Sequence, residues 1–291
     1  MTRSIGVAHL TLLSLTPPEL VETAAAVGFS FVGIRVKAVT PTERAFDLAP
    51  GSPLLRETLS RLRDTGVTVR DIEFLPVTTH TGPGDWLPAL EAGAALGASA
   101  LTVTGADPDR ARLVDTLSAL TRDAADFGIR PLLEPISYQP VRTVADAAAV
   151  ARATGAALMI DPLHVQRGGS PLSDIGALEA DLVPVVQLCD APADPPEAVD
   201  DDARITGLQR EARVQRLLVG EGSLPLADLL AATPAGTPVS VEIPHERLRR
   251  RLDPRSYAAE VIRTARDLVE RVDAAPTPAL RPGSHTEGEV A

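Results

Sequence analysis

Along most of the chain, short apolar runs alternate with amphipathic stretches, and a glycine often stands where a stretch ends and the next run begins. Residues 5–10 form a first apolar run with His9 near its end. Thr16-Pro17-Pro18-Glu19 then supplies a cap residue, prolines for a first turn and an early acid, which predicts a helix through 20–27 that stops at Gly28. The same reading places strands at 29–36, 67–77, 98–104, 129–136, 157–160, 185–190 and 237–243. It places helices at 54–63, 85–96, 107–127, 143–154, 224–232 and 254–272, with a weaker one at 173–181. The run 157–160 (A-L-M-I) is apolar throughout, as a strand buried on both faces should be. Strand then helix, eight times over, predicts a closed (β/α)8 TIM barrel of the α/β class. An open doubly wound sheet is the competitor, but no G-x-G-x-x-G follows the first strand.

Four of these runs end alike. P-L-L-E-P closes on Glu134, L-M-I-D-P on Asp161, V-V-Q-L-C-D carries Gln187, and V-S-V-E-I-P carries Glu242. A carboxylate at the tip of a buried strand must be hydrated, paired or bound to a cation, because desolvating it alone is costly. Barrel chemistry sits at the C-terminal strand ends, so these side chains would converge on one mouth. Period-two alternation points Met159, Asp161, Gln187, Cys189, Ser240 and Glu242 inward, and Ile160, Leu188 and Val241 outward against helices. Pro162 should stop the sixth strand, with His164 one short loop step beyond. Glu73 inside the third strand and His9 on the first are further candidates for the mouth. The plainer alternative is a set of structural polar groups paired with arginines inside the barrel. Cys189 fits a small core residue better than a nucleophile, and Trp86 and the H-E-R-L-R-R-R run at 245–251 read as scaffold and surface.

Two stretches break the repeat. Residues 191–217 form an insertion after the seventh strand, first rich in Pro and Asp (D-P-P-E-A-V-D-D-D), then bearing Arg210, Arg213 and Arg216. It is either a solvated excursion or a loop that partly covers the mouth. Beyond 273, the residues 274–291 have no periodicity and should be disordered, leaving 1–273 as a single barrel. Composition narrows the setting. A chain of 291 residues, 44% hydrophobic, can bury a large core. A net charge of −11 argues against nucleic acid or an anionic membrane as partner. With Cys189 as the lone cysteine, no intrachain disulfide can form and a reducing cytoplasm is the simplest home. No run approaches the about 18 apolar residues of a membrane span, and no signal pattern opens the chain.

Taken in order on these strands, L-L-E-P, I-D-P-L-H, V-Q-L-C-D-A-P, G-E-G-S-L-P-L (220–226) and V-E-I-P resemble the xylose-isomerase-like TIM barrels. That superfamily spans sugar phosphate isomerases and epimerases, hydroxypyruvate isomerases, and inosose and 3-dehydroshikimate dehydratases. The resemblance runs from residue 5 to about 272 and is far more specific for the superfamily than for a substrate. It implies one divalent ion held by Glu134, Asp161, Glu242 and, where relatives carry histidine, Gln187. An amide oxygen makes the donor set all-oxygen, which favours Mg²⁺ or Mn²⁺ over Zn²⁺. It also implies that His164 faces the substrate and that an arginine near 216 contacts it.

The reading that follows is an enzyme, a metal-dependent isomerase or epimerase of a small polyhydroxylated keto or aldose compound, working through an enediolate with Glu134 and Glu242 exchanging the proton. Arg216, His9 and Glu73 are its expected substrate contacts. Alternatives are a dehydratase of the 3-dehydroshikimate or inosose type, which V-Q-L-x-D-A-P resembles, and a non-catalytic barrel subunit. A DNA-repair relative of the endonuclease IV kind would need more metal histidines than the five here allow, and a basic face. The expected partner is the small molecule alone, and a homo-oligomer is compatible with everything above.

Overall fold

In a computed structural model describing residues 2–40 and 43–275, eight parallel strands close into a barrel in sequence order, β8 pairing with β1. The strands are β1 Ile5–Val7, β2 Phe31–Arg35, β3 Thr68–Val77, β4 Ala100–Gly105, β5 Arg130–Glu134, β6 Ala157–Ile160, β7 Val185–Leu188 and β8 Val239–Val241. The helices between them are α1 Pro17–Val27, α2 Pro53–Thr65, α3 Pro83–Leu96, α4 Arg110–Ala125, α5 Val144–Thr154, α6 Pro162–Gly168, α7 Leu172–Gly176, α8 Asp201–Val214, α9 Leu226–Ala232 and α10 Glu246–Arg249. The last, α11 Pro254–Ala274, closes against α1 and α9.

Local chemistry sets these boundaries. Thr16 and Glu19 cap α1 reciprocally, and Gly28 ends it at φ 93°, a left-handed conformation that glycine adopts without steric cost. Asp253 caps α11 through the amides of Arg255 and Ser256. Ile160, Leu188 and Val241 belong to the outer core between sheet and helices. Ala100, Leu132, Ala157, Met159 and Val185 fill the base of the barrel interior. Above that plug the interior turns polar.

The fold departs from the sequence expectations at three places. Pro162 starts a helix rather than a loop: it occupies the first turn of α6, whose N-cap is Asp161. His164 therefore sits on a helical turn. The weak helix expected at 173–181 is two pieces, α7 and a 3₁₀ turn at Ala180–Leu182. The insertion contains a full helix, α8, and is tied down by bridges between Asp190 and Leu217 and between Gln215 and His245. Ala274 belongs to α11, and the expected disordered tail falls from 276 onward, outside the described residues.

Candidate metal centre

The polar upper interior is built by the strand ends. Glu134 ends β5, Asp161 follows β6, Gln187 is inward on β7, and Glu242 follows β8. One carboxylate oxygen each from Glu134, Asp161 and Glu242 lies within 4.8 Å of the others. All three are buried, and Asp161 is fully so. Among the described residues no other group of His, Cys, Asp and Glu side chains converges in this way. Gln187 is 4% exposed, and its Oε1 is buried without a hydrogen-bond partner. A buried acceptor left unpaired costs roughly 1–3 kcal/mol unless something binds it. Three carboxylates and an unused amide oxygen are what a hard divalent cation needs, so these residues fit one.

Arg216 shares that space. It is 2% exposed, and its guanidinium pairs with Asp161 Oδ2 and, at 2.9 Å, with Glu242 Oε2. Its Nε donates to the Ala212 carbonyl at 2.8 Å, and Nη1 also approaches the Glu242 carbonyl at 3.3 Å. Arg216 thus reaches the mouth, but its donors are directed at protein oxygens. Burial pushes Glu134 well above the usual carboxylate range, with Glu242 and Asp161 adding to the effect against the pull of Arg216. Burial likewise raises Glu242 to about 7, opposed by Arg216. Asp161 behaves oppositely. Burial alone would raise it, yet Arg216, His164 and the α6 amides together hold it below the ordinary value. Its Oδ1 accepts from the Leu163 amide at 2.7 Å and the His164 amide at 3.3 Å.

His164 is 2% exposed, with Nε2 3.9 Å from Glu134 Oε1. Its Nδ1 faces the Ser137 amide at 3.4 Å and the Ser137 hydroxyl at 3.1 Å. An amide can only donate, so Nδ1 is the acceptor and the ring proton sits on Nε2. Burial lowers the His164 pKa to about 4, so the ring is neutral at neutral pH.

Glu73 lines the cavity from β3, 3.4 Å from the Arg35 guanidinium, while its Oε1 takes the His9 amide at 2.8 Å. Gly33 makes room for it: a Cβ there would lie 2.5 Å from Glu73 Oε1. His9 does not reach the cavity. It lies on a 3₁₀ turn, its Nδ1 accepts from the Arg35 amide at 2.9 Å, and its Nε2 meets the Leu15 carbonyl at 3.0 Å. Both ring nitrogens are spent on backbone, so this histidine supports the β1 and β2 ends.

Between the walls lies a cavity of about 70 Å³, with Phe74, Ile136 and Tyr138 as its apolar side. Two buried charged residues of this region escaped the sequence reading. Arg35 looked like a polar interruption of β2, although it falls two positions beyond inward Gly33. Asp71, beneath the cavity, stands two residues before Glu73, so period-two alternation alone could have found it. Arg213 lines the cavity as well, and among the described residues no hydrogen bond or ion pair occupies its guanidinium.

The D-A-P and G-E-G-S-L segments have a structural explanation. The Asp190 carboxylate accepts from the amides of Ala191 (2.8 Å), Gly220 (2.9 Å) and Leu224 (3.1 Å), folding that turn against Arg216's strand segment. Gly222 passes so close that a Cβ would lie 2.3 Å from the Ala191 carbonyl oxygen.

This closed parallel barrel with its acidic mouth is matched from 21 to 268 by the model of the xylose isomerase-like TIM barrel family. The chain belongs to that family. No curated protein matches it. Solved structures resemble it in fold at low identity. One, a xylose isomerase-like TIM barrel/4-hydroxyphenylpyruvate dioxygenase fusion protein, is 23% identical with a TM-score of 0.75 over 94% of this chain. The chain spans 44% of that protein's length. The IOLI protein, solved with a zinc atom, is 14% identical with a TM-score of 0.70, covering 94% of this chain and all (100%) of that one. A probable 3-DHS dehydratase of Bacillus anthracis involved in petrobactin synthesis is 10% identical with a TM-score of 0.70, covering 90% of this chain and 98% of that one.

Proposed function

We propose that this chain is a divalent-metal-dependent isomerase or epimerase acting on a small polyhydroxylated keto or aldose compound. The observation that carries the reading is the convergence of the Glu134, Asp161 and Glu242 carboxylates at the C-terminal mouth, with the Gln187 oxygen buried and without a hydrogen-bond partner on the strand between. These four residues would hold the ion, and their all-oxygen donor set favours Mg²⁺ or Mn²⁺. When bound, such an ion supplies a Lewis acid that polarises a carbonyl and acidifies the C–H beside it.

The chain's own residues do the rest. Glu134 and Glu242 come from β5 and β8, line the same cavity, and would take a proton from one carbon and return it to the next. Arg216 fixes the orientation of Asp161 and Glu242. His164 directs its Nε2 proton towards Glu134, which suits holding a carboxylate or a substrate oxygen in place. Phe74, Ile136 and Tyr138 keep water from the reacting carbons. Glu73 and Arg35 form the polar far wall.

A dehydratase of the 3-dehydroshikimate or inosose type is the second reading. It is favoured by the amide at Gln187 in place of the more usual imidazole, and by the likeness to a probable dehydratase. It would need a group to protonate the departing hydroxyl. A buried, neutral His164 with a pKa of about 4 is poorly suited to that, which ranks isomerisation first. The Mn²⁺-loaded protein, screened in D₂O against ketoses, inososes and dehydroshikimate, separates the two. Deuterium in an otherwise intact product supports isomerisation. A product lighter by one water, lost in His164→Ala with metal still bound, replaces it by the dehydratase.

A further inference from the structure

The insertion has few anchors. Its first part, 192–200, is irregular, with Val199 95% exposed, and α8 buries only Leu208 and Ala212 among its apolar side chains. Bridges fix its two ends at Asp190 and Gln215. Between them, among the described residues, side-chain hydrogen bonds reach 192–214 from only two residues outside it: Arg216, whose Nε holds the Ala212 carbonyl in the last turn of α8, and Arg167 on α6, which makes all the others.

Arg167 is spent entirely on the insertion. Nε and Nη2 form a fork on the Glu211 carboxylate at 2.9 and 2.7 Å. Nη1 donates to the Ala193 carbonyl at 3.1 Å, and Nη2 donates to Pro192 at 2.8 Å and Asp194 at 3.2 Å. The two side chains are 3% and 5% exposed. One planar group therefore ties both halves of the insertion, the irregular lead and α8, to the turn that begins at Asp161 and carries His164. Arginine suits this because its five donors form a rigid fan, whereas a lysine offers a single point of charge.

We propose that Arg167 is the latch holding the irregular lead and the N-terminal turns of α8 against the mouth of the cavity, and so a positioning residue for the segment that leads into Arg213. With the latch released, the irregular lead and the N-terminal turns of α8 swing outward, pivoting at Ala212, whose carbonyl stays on the Arg216 Nε. Arg216 stays in place, because the bridges at Gln215 and Leu217 flank it and its guanidinium is held by Asp161 and Glu242. The released state gives a substrate its way in. The proposal holds whatever reaction the site performs.

Hydrogen–deuterium exchange of the full chain tests it, comparing wild type with Arg167→Met, Glu211→Gln and Arg167→Lys. The expected result is exchange at least tenfold faster across 196–211 in Arg167→Met and Glu211→Gln, with β5–β8 unchanged and an intermediate effect in Arg167→Lys. Affinity for Mn²⁺ should stay within twofold, since no proposed ligand is touched. Unchanged protection of 196–211 overturns the latch, and so does faster exchange spread evenly over the barrel strands. Should Arg167→Met not fold, Glu211→Gln carries the same comparison. A chain that binds no Mn²⁺ in any variant defeats the metal reading while leaving the exchange comparison intact.

Discussion

Replacing Arg216 by methionine is the sharpest probe of the carboxylate cluster, because it keeps most of the side-chain stem and removes only the charge and its donors. The guanidinium is 2% exposed and bridges Asp161 and Glu242, so its loss leaves two buried carboxylates facing each other and Glu134 without a counter-charge. Removing one partner of a buried pair costs roughly 3–5 kcal/mol. At roughly 2–4 °C per kcal/mol for a large domain, the metal-free variant should melt roughly 6–20 °C below wild type. Metal binding should move the other way. Across about 5 Å at an effective dielectric of ~20, a single and a double positive charge repel by ~7 kcal/mol before screening and relaxation. A tenfold tighter Kd for Mn²⁺ in the variant, worth about 1.4 kcal/mol, is therefore a conservative expectation. Thermal melts with and without Mn²⁺, followed by titration calorimetry, measure both quantities. An unchanged metal-free Tm, or weaker Mn²⁺ binding in the variant, would refute the view that this guanidinium balances the metal ligands.

Four further outcomes follow from the same geometry. Gln187→His should shift preference from Mn²⁺ towards Zn²⁺, because imidazole is the softer donor, and competition calorimetry reads the shift. Metal binding should release protons and tighten as the pH rises to about 7, by up to tenfold per unit per proton. Glu242 at about 7 and Glu134 above its ordinary range hold those protons in the metal-free protein. Calorimetry in two buffers of different ionisation enthalpy detects the release. Asp71 is raised by burial from 3.8 to about 7, so its contribution is intact below about 4 and is lost as the pH rises through 7. Asp71→Asn should accordingly gain stability on wild type over that window, by about 2–4 kcal/mol in chemical denaturation, while Thr102 can still donate at that site. Gly33→Ala should cost about 1–3 kcal/mol and displace Glu73, with the far-ultraviolet dichroism of the barrel unchanged.

How much of this could be read from the residues depended on whether the signal was local. An apolar run ending in an acid is a local pattern, so Glu134, Asp161 and Glu242 were legible, and the strand–helix count gave the barrel. Glycines 28, 66, 97 and 155 marked helix ends because each takes a positive φ there. The α8 helix hid because only Leu208 and Ala212 of its apolar side chains are buried, too few to give a 3.6-residue rhythm among aspartates and arginines. Pro162 carried two readings, strand stop and first helical turn, and only Asp161's bonds to the Leu163 and His164 amides decide between them. The destination of Arg216 was set by residues 55 and 26 positions away in sequence, and the fan of Arg167 by residues 25 to 44 positions away, so no short window along the chain contains both partners. His9 misled for the opposite reason: its partners, Leu15 and Arg35, are backbone groups, which a sequence does not display.

Asp161 and Gln187 bear very different loads. One oxygen of Asp161 starts a helix and the other anchors a guanidinium, whereas the Gln187 oxygen accepts no hydrogen bond. A change at 161 would disturb the register of His164 and Arg167 and the charge balance of the mouth at once, so almost any replacement there is punished before its chemistry can be tried. A change at 187 breaks no hydrogen bond made by that oxygen. Of the four proposed donor positions, the seventh strand is thus the one where a substitution would alter the donor set with the least disturbance to the hydrogen bonds that hold the mouth.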